Sequence, residues 1–222
     1  MQDLIIGCIP LLIAFLVSLI YYKKLEPTWL RLFTWFLLAS FLIQIIEYVY
    51  SFIHRGEGIE KQSNLFIFNY YVFIECEFYI LIFYKALYRK TFKKILLYIG
   101  LFFVIFFIYE TFFVKHYLNY STLTVITANF IIITCCIIYL AELLMAEEFI
   151  VFFSMPMFWI TTGIMIFSVG IFLYLAFFHY IFKNKLDPDG VIYGIIATSL
   201  SILQYSFFTI GFSCKTLWKK IK

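Results

Sequence analysis

Seven long apolar runs constrain the fold of this chain more than any other feature of its sequence. Short connections separate the runs, which cover residues 4–22, 29–52, 64–86, 95–114, 121–145, 155–181 and 190–213. About 20 apolar residues allow a helix to cross the hydrocarbon layer of a bilayer. Open strands cannot span lipid, and the runs lack the alternation of barrel strands. The sequence therefore predicts an all-α membrane protein in which residues 1–222 form a single domain of seven transmembrane helices.

The composition supports this fold class and excludes one class of partner. Hydrophobic residues make up 64% of the chain and charged residues only 14%, which is not the composition of a soluble domain. The net charge of +4 does not indicate nucleic-acid binding, because the basic residues lie at the ends of the apolar runs. We therefore expect the lipid bilayer to surround the chain, and we expect no nucleic-acid partner.

The Lys and Arg residues are unevenly distributed between the two predicted sides of the membrane. Twelve lie around residues 23–31, 85–94 and 215–222, whereas five lie in the other connections. Basic residues accumulate on the cytoplasmic side, so we predict an outer N-terminus and an inner C-terminus. Six inner residues are candidates for contact with anionic lipid headgroups or a cytoplasmic partner: Arg89, Lys90, Lys93, Lys94, Lys219 and Lys220. The inner connection after the fifth run is instead acidic, with Glu142, Glu147 and Glu148.

The third apolar run carries two carboxylates, Glu75 and Glu77, near its middle. At about 1.5 Å per residue, Glu75 lies roughly 15 Å below the start of the run, close to the midplane of the bilayer. An unpaired charge there costs on the order of 3 kcal/mol. Two residues correspond to about 200° around a helix, so the two carboxylates cannot share one face. At least one of them must find a protein partner, water or a proton.

Other polar residues within the apolar runs are candidates to surround these carboxylates. Asn69, Phe73, Glu77 and Tyr84 follow one stripe of the third run, and Tyr71, Glu75, Phe78 and Tyr79 follow another. The seventh run has a hydroxyl stripe made of Thr198, Ser201, Tyr205 and Thr209. The candidates for ligand binding or proton coupling are Glu75, Glu77, Asn69, Glu47, Gln204 and Tyr205. The same residues are also consistent with interhelical hydrogen bonds that only fix the packing, and the sequence does not separate the two readings.

The histidines and cysteines give no clear metal or redox signature. His54, His116 and His179 all fall on the predicted outer side, at about the depth of Glu47 and Glu110. Such groups can bind Zn²⁺ or sense pH, but each histidine comes from a different connection, which favours independent interfacial residues. The five cysteines form no C-x-x-C motif and are expected to be small buried residues. We therefore predict no metal and no cofactor.

Motifs of known membrane enzymes and of retinal proteins were compared with the sequence. H-E-x-x-H and G-x-S-x-G do not occur, and Lys185 and Lys215 flank the seventh run without entering it. A retinal Schiff base is therefore unsupported. The sequence favours a role that is not enzymatic.

Short motifs in the last two apolar runs resemble those of small seven-helix membrane proteins of bacteria. They are Phe158-Trp-Ile with Gly163 and Gly170, and Tyr205 with Gly211-Phe-Ser-Cys. These bacterial proteins are similar in layout to the seven-helix sensory domains that precede intracellular signalling modules. The resemblance implies an integral protein of the bacterial cytoplasmic membrane, working as a sensor-like module with a separate cytoplasmic kinase or other effector.

Four functional hypotheses follow from the sequence. The first is a receptor-like module that senses a small ligand or the membrane state and signals to a separate cytoplasmic protein. The second is a small-molecule or proton-coupled transporter with Glu75 or Glu77 as its coupling carboxylate. The third is a structural subunit that packs with other membrane subunits. The fourth is a lipid hydrolase that uses a metal held by the outer His and Glu residues.

Overall fold

The computed structural model describes residues 2–53, 65–114, 121–145, 152–184, 187 and 190–221. Within these residues the chain is helical, without any strand. The helices are α1 (Gln2–Ile20), α2 (Arg31–Ile53), α3 (Leu65–Ala86), α4 (Lys90–Tyr109), α5 (Thr122–Leu144), α6 (Pro156–Ala176), α7 (Phe178–Lys183) and α8 (Val191–Ile221). A wider π-helical turn, Glu110–Val114, extends the end of α4.

Six of the described helices, α2 to α6 and α8, are long and apolar enough to cross a membrane. Helix α1 is also apolar, although the part searched, Cys8–Ile20, is shorter than a full span. The prediction of an all-α chain with helices of membrane-spanning length is therefore confirmed, with six or seven such helices.

Three helix ends differ from the limits of the apolar runs. Helix α4 begins at Lys90, five residues before the predicted run, and α8 continues to Ile221, beyond residue 213. The sixth run is divided, because α6 ends at Ala176 and the short helix α7 follows it. Hydropathy marks the part of a helix that lies in lipid, whereas Lys is a good helix former and lets a helix continue into water.

Six helices form a ring in the order α2, α1, α8, α6, α5 and α3, and α4 packs outside this ring against α3 and α5. Aromatic contacts between α2 and α3 close the ring: the Phe36 and Phe78 rings are stacked with centroids 4.0 Å apart. The centre of the ring is therefore bordered by side chains from several helices.

The α6–α8 contact is close enough to require glycine at two positions. A Cβ atom on Gly163 would lie 2.9 Å from Cβ of Phe207, and one on Gly211 would lie 2.9 Å from the carbonyl oxygen of Pro156. Real Cβ atoms do not approach other atoms so closely, so these glycines allow the two helix backbones to come together.

Glu142 belongs to α5 and is buried, although the sequence analysis grouped it with an acidic connection. Its carboxylate oxygens accept hydrogen bonds from the backbone N–H groups of Tyr88 and Arg89, at 2.8 and 2.6 Å. These N–H groups stand at the start of α4, where a carboxylate stabilises the helix dipole. Glu142 therefore caps α4 and is not part of a free acidic link. We call the end of the bundle that carries Arg89, Lys90 and the start of α4 the basic end.

Candidate functional site

A cavity of about 210 Å³ lies inside the ring, between α2, α3, α5, α6 and α8. Its walls are mostly apolar and aromatic, and its polar groups include one carboxylate. The polar and ionisable lining residues are Gln44, Tyr71, Glu75, Tyr79, Asn129, Ser168, Tyr193, Ser201, Gln204 and Tyr205. An apolar cavity with a few convergent polar groups is the usual form of a small-ligand site.

Helix α3 supplies three of these polar side chains from one face. Tyr71, Glu75 and Tyr79 are spaced four residues apart, so they follow one another along the helix. The Tyr79 hydroxyl donates to Oε1 of Glu75 at 3.2 Å. This phenol group therefore holds the glutamate in place at the wall of the cavity, and Tyr71 lies one turn away on the same face.

This network continues to the neighbouring helices. The Gln204 Nε2 group of α8 donates to the Tyr79 hydroxyl oxygen at 3.3 Å, and the Tyr71 and Ser40 hydroxyls are 3.2 Å apart. An amide N–H can only donate, so Tyr79 accepts from Gln204 and its own proton points to Glu75. Oε1 of Glu75 is therefore an acceptor. Tyr79 links this carboxylate to α8, and the Tyr71–Ser40 bond joins α3 to α2 beside it.

The other inward candidates on α2 and α8 differ in position. Gln44 lines the cavity, and its amide oxygen accepts from the Cys8 thiol of α1 at 3.3 Å. Tyr205 is buried and also lines the cavity. Glu47 is half-buried one turn beyond Gln44 and is not among the lining residues.

Glu77 and Asn69 face away from the cavity, toward α4 and the start of α5. Oε2 of Glu77 would lie 3.4 Å from a Cβ atom on Gly100 of α4. The Phe73 ring, one turn away, is stacked on Phe107 of α4 with centroids 4.4 Å apart. Oδ1 of Asn69 accepts from the backbone N–H of Ser121 at 3.1 Å. The stripe that contains Glu77 is therefore a packing face.

An aromatic cluster closes the cavity on the side of the basic end. Phe33 of α2 is fully buried, and its ring centroid lies 5.0 Å from Phe208 and 6.3 Å from Tyr79. Phe78 lies 5.6 Å from the same ring. Tyr79 thus contacts the carboxylate on one side and this cluster on the other.

The opposite end of the cavity is bordered by the turn before α8. Asp187 accepts hydrogen bonds from the Tyr174 hydroxyl at 2.8 Å and from the backbone N–H groups of Ile192 and Tyr193 at 3.0 and 2.9 Å. Burial raises the pKa of Asp187, but the donors from Tyr193, Ile192 and Tyr174 outweigh it and hold the pKa below its ordinary value. Because Tyr193 lines the cavity, this carboxylate fixes one of its walls.

A second buried carboxylate, Glu110, was grouped with the outer histidines by the sequence analysis. In the structure it accepts hydrogen bonds from the hydroxyls of Ser121 and Thr124, and Ser121 also caps the start of α5. The sequence signal for this cluster was the Ser-x-x-Thr start of the fifth run, which is typical of a helix N-cap. The cluster joins α4 to α5, and it was missed because its members belong to different runs.

The basic residues near the start of α4 are partly accessible. Arg89, Lys90 and Lys94 are exposed, whereas the Lys93 ammonium lies 5.4 Å from the centre of the Tyr84 ring. The side chains of Lys219 and Lys220 lie outside the described part of the chain.

The side chains of the predicted outer histidines fall outside the part of the chain that the structure describes. His54 and His116 lie outside the described residues, as does the side chain of His179. Among the residues that are described, no three His, Cys, Asp or Glu side chains are grouped as a metal site.

No protein family, curated protein or solved structure that was compared matches this chain.

Proposed function

We propose that this chain is a non-enzymatic, receptor-like membrane module that binds a small ligand in the central cavity and signals to a separate cytoplasmic protein. The observation that carries the proposal is the internal cavity with a hydrogen-bonded carboxylate. Glu75 contacts the cavity, and Tyr79 joins it to Gln204 of α8, beside the Tyr71–Ser40 bond between α3 and α2. A ligand that competes for Glu75 would therefore bias the packing of α3 against its neighbours.

The aromatic cluster offers a route from the ligand to the cytoplasmic side. Tyr79 contacts both Glu75 and Phe33, and Phe33 lies in the first turn of α2, beside the predicted inner connection. The positive-inside pattern of the sequence supports placing this basic end in the cytoplasm. Arg89, Lys90 and Lys94 would then form an exposed surface for a partner protein or for anionic lipids.

A cavity-filling substitution tests the ligand-binding step. Ala197 of α8 lines the cavity, whereas Ile195 on the same helix is 62% exposed at the outer surface. Wild type, Ala197→Phe and Ile195→Phe would be purified in mild detergent and analysed by native mass spectrometry. We expect a bound small molecule in wild type and in Ile195→Phe that is absent from Ala197→Phe. Retention by all three proteins, or by none, would contradict a ligand site in this cavity.

Neutralisation of the basic surface tests the signalling step. The triple variant Arg89→Gln, Lys90→Gln, Lys94→Gln would be compared with Lys183→Gln, an exposed residue at the other end of the bundle. A cytoplasmic protein that co-purifies with wild type in stoichiometric amount should be lost from the triple variant and kept by the control. Equal recovery from all three, or no partner at all, would argue against signalling through this surface.

Transport is a second candidate, and the depth of Glu75 favours it. Glu75 lies ten residues after the start of α3 and eleven before its end, so it is roughly 15 Å from either end of the helix. Midplane carboxylates beside a cavity are typical of coupling sites in carriers. Proteoliposome uptake driven by a proton gradient and abolished by Glu75→Gln would favour a carrier over a receptor.

A further inference from the structure

The described lining of the cavity includes an acidic side chain but no basic one. Among the described residues that line it, Glu75 is the only carboxylate, and none is Lys, Arg or His. Oε1 of Glu75 accepts the proton of Tyr79, whose own oxygen is occupied by the Gln204 amide. The carboxylate is thus held as an acceptor, and a ligand that reaches it must bring a donor or a positive charge.

The remaining wall suits an organic cation. Phe68, Phe167, Tyr193 and Tyr205 contribute aromatic rings to the lining. Aromatic faces attract cations, and they do so more strongly where water is excluded. Sites for metal ions such as Ca²⁺ supply about six to eight oxygen ligands, commonly from several carboxylates, whereas the described lining has a single carboxylate. Rings around a single carboxylate are the pattern that binds alkylammonium groups.

We infer that the cavity takes a small organic cation with an ammonium group, for which Glu75 is the counter-ion. This inference rests on the proposed binding role and adds the chemical class of the ligand. A cavity of about 150 Å³ is sufficient for benzene, so the volume of about 210 Å³ fits a compact molecule of similar or slightly larger size. The ammonium group lies against Glu75, and its apolar substituents contact the aromatic rings.

Matched probes that differ only in charge test this inference. Choline and its neutral carbon isostere dimethylbutanol form one pair, and benzylammonium and benzyl alcohol form another. Binding of each probe to the full chain in lipid nanodiscs would be measured by calorimetry and by thermal shift. At least one cation should bind wild type about 30-fold or more tightly than its neutral partner, which is the effect of pairing one buried charge.

The variants use the two glutamates of α3 as site and control. Glu75→Gln should remove the preference for the cation, and Glu75→Asp, which keeps the charge, should retain it. Glu77→Gln removes the same charge two residues away on the α4 face and should leave the preference unchanged. If Glu75→Gln does not fold, the comparison of Glu75→Asp with wild type still reports the charge preference.

Three results would overturn the inference. Equal binding of both members of each pair to wild type would leave the cavity as a ligand site but remove the cationic class. Stabilisation by sodium relative to potassium that requires Glu75, without binding of any organic cation, would indicate an inorganic ion. Failure of every probe to bind would also count against the cation. The proposed binding role fails separately, if wild type, Ala197→Phe and Ile195→Phe all retain a bound molecule or all lack one.

Discussion

Helix α3 presents a glutamate to each of two different surroundings. Glu75 and Glu77 are two residues apart and at nearly the same depth in the helix. Glu75 borders the cavity and accepts a hydrogen bond from Tyr79. Glu77 instead faces Gly100 of α4, and its buried Oε1 has no hydrogen-bond partner within the part of the chain that the structure describes.

The difference between the two faces comes from their neighbours. On the Glu77 face, Gly100 lets α4 approach, and Phe73 stacks on Phe107, so little space remains. On the Glu75 face, the ring of helices leaves a cavity, and long polar side chains such as Gln204 reach into it. The same residue type thus borders a cavity on one face and a packed helix contact on the other.

The largest expected effect comes from opening the packed face. Phe73→Ala removes a ring that stacks on Phe107 and Phe103, and we expect the free energy of unfolding to fall by about 3 kcal/mol. Ile74→Ala is the control, because Ile74 is 52% exposed on the outer surface of the bundle. Unfolding in mixed micelles measures both. Equal losses for Phe73→Ala and Ile74→Ala would show that the α3–α4 face is not tightly packed.

A matched pair of methionine substitutions compares the two glutamates directly. Glu75→Met leaves the Tyr79 hydroxyl without its acceptor, and the free energy of unfolding should fall by about 2 kcal/mol. Glu77→Met replaces an unpartnered buried oxygen by an apolar group, and stability should be unchanged or rise by up to about 1 kcal/mol. The same unfolding assay serves here. A larger loss for Glu77→Met than for Glu75→Met would reverse our assignment of the two faces.

A smaller effect is expected from removing a single hydroxyl. Tyr79→Phe removes the hydrogen bond that Tyr79 accepts from Gln204 and the one that it donates to Glu75. It should lower the free energy of unfolding by about 1 kcal/mol. Tyr84→Phe changes the same residue type on the other stripe of α3 and should have little effect on the cavity. Cation binding should weaken in Tyr79→Phe only. If the two variants bind equally, Tyr79 does not orient the carboxylate.

The smallest effect concerns the turn that borders the far end of the cavity. The donors around Asp187 hold its pKa below the ordinary value of 3.8, so its ionised form stabilises the folded state. This contribution is complete above the unfolded pKa and is lost as the pH falls through the folded pKa. Wild type should therefore unfold at a higher temperature than Asp187→Asn at pH 7, with the difference shrinking below about pH 4.

A partial variant of the same turn acts as a control. Tyr174→Phe removes one donor but keeps the two backbone donors to Asp187, so it should retain part of the difference from Asp187→Asn. A difference between wild type and Asp187→Asn that does not depend on pH would indicate packing and not charge at this turn.

Much of the fold follows from hydropathy, because lipid requires long apolar helices. The limits of α2, α3 and α5 fall within two residues of the predicted runs. Where the apolar residues end, hydropathy no longer marks the helix, as at Lys90 and Ile221, since helix formation continues without apolar residues. The division of the sixth run at Phe177 had no Gly or Pro to mark it.

The site follows from the sequence only within one helix. The spacing of Tyr71, Glu75 and Tyr79 places them on one stripe, and in the structure all three line the cavity and Tyr79 hydrogen-bonds Glu75. Gln204 is 125 residues from Tyr79 in the chain, so their contact depends on how the helices are arranged in the ring. The partners of Glu110 and Glu142 were not predicted for the same reason. Short-range periodicity carries no information about neighbouring helices.

The close contact between α6 and α8 has a mechanical consequence. Because Gly163 and Gly211 leave no room for even one extra carbon, these two helices cannot move closer together. We therefore expect α6 and α8 to move as a pair when the cavity adapts to a guest. The adjustment would then fall between this pair and the facing wall, which α2, α3 and α5 form. Since α5 also carries Glu142, this facing wall is coupled through a single side chain to the first turn of α4.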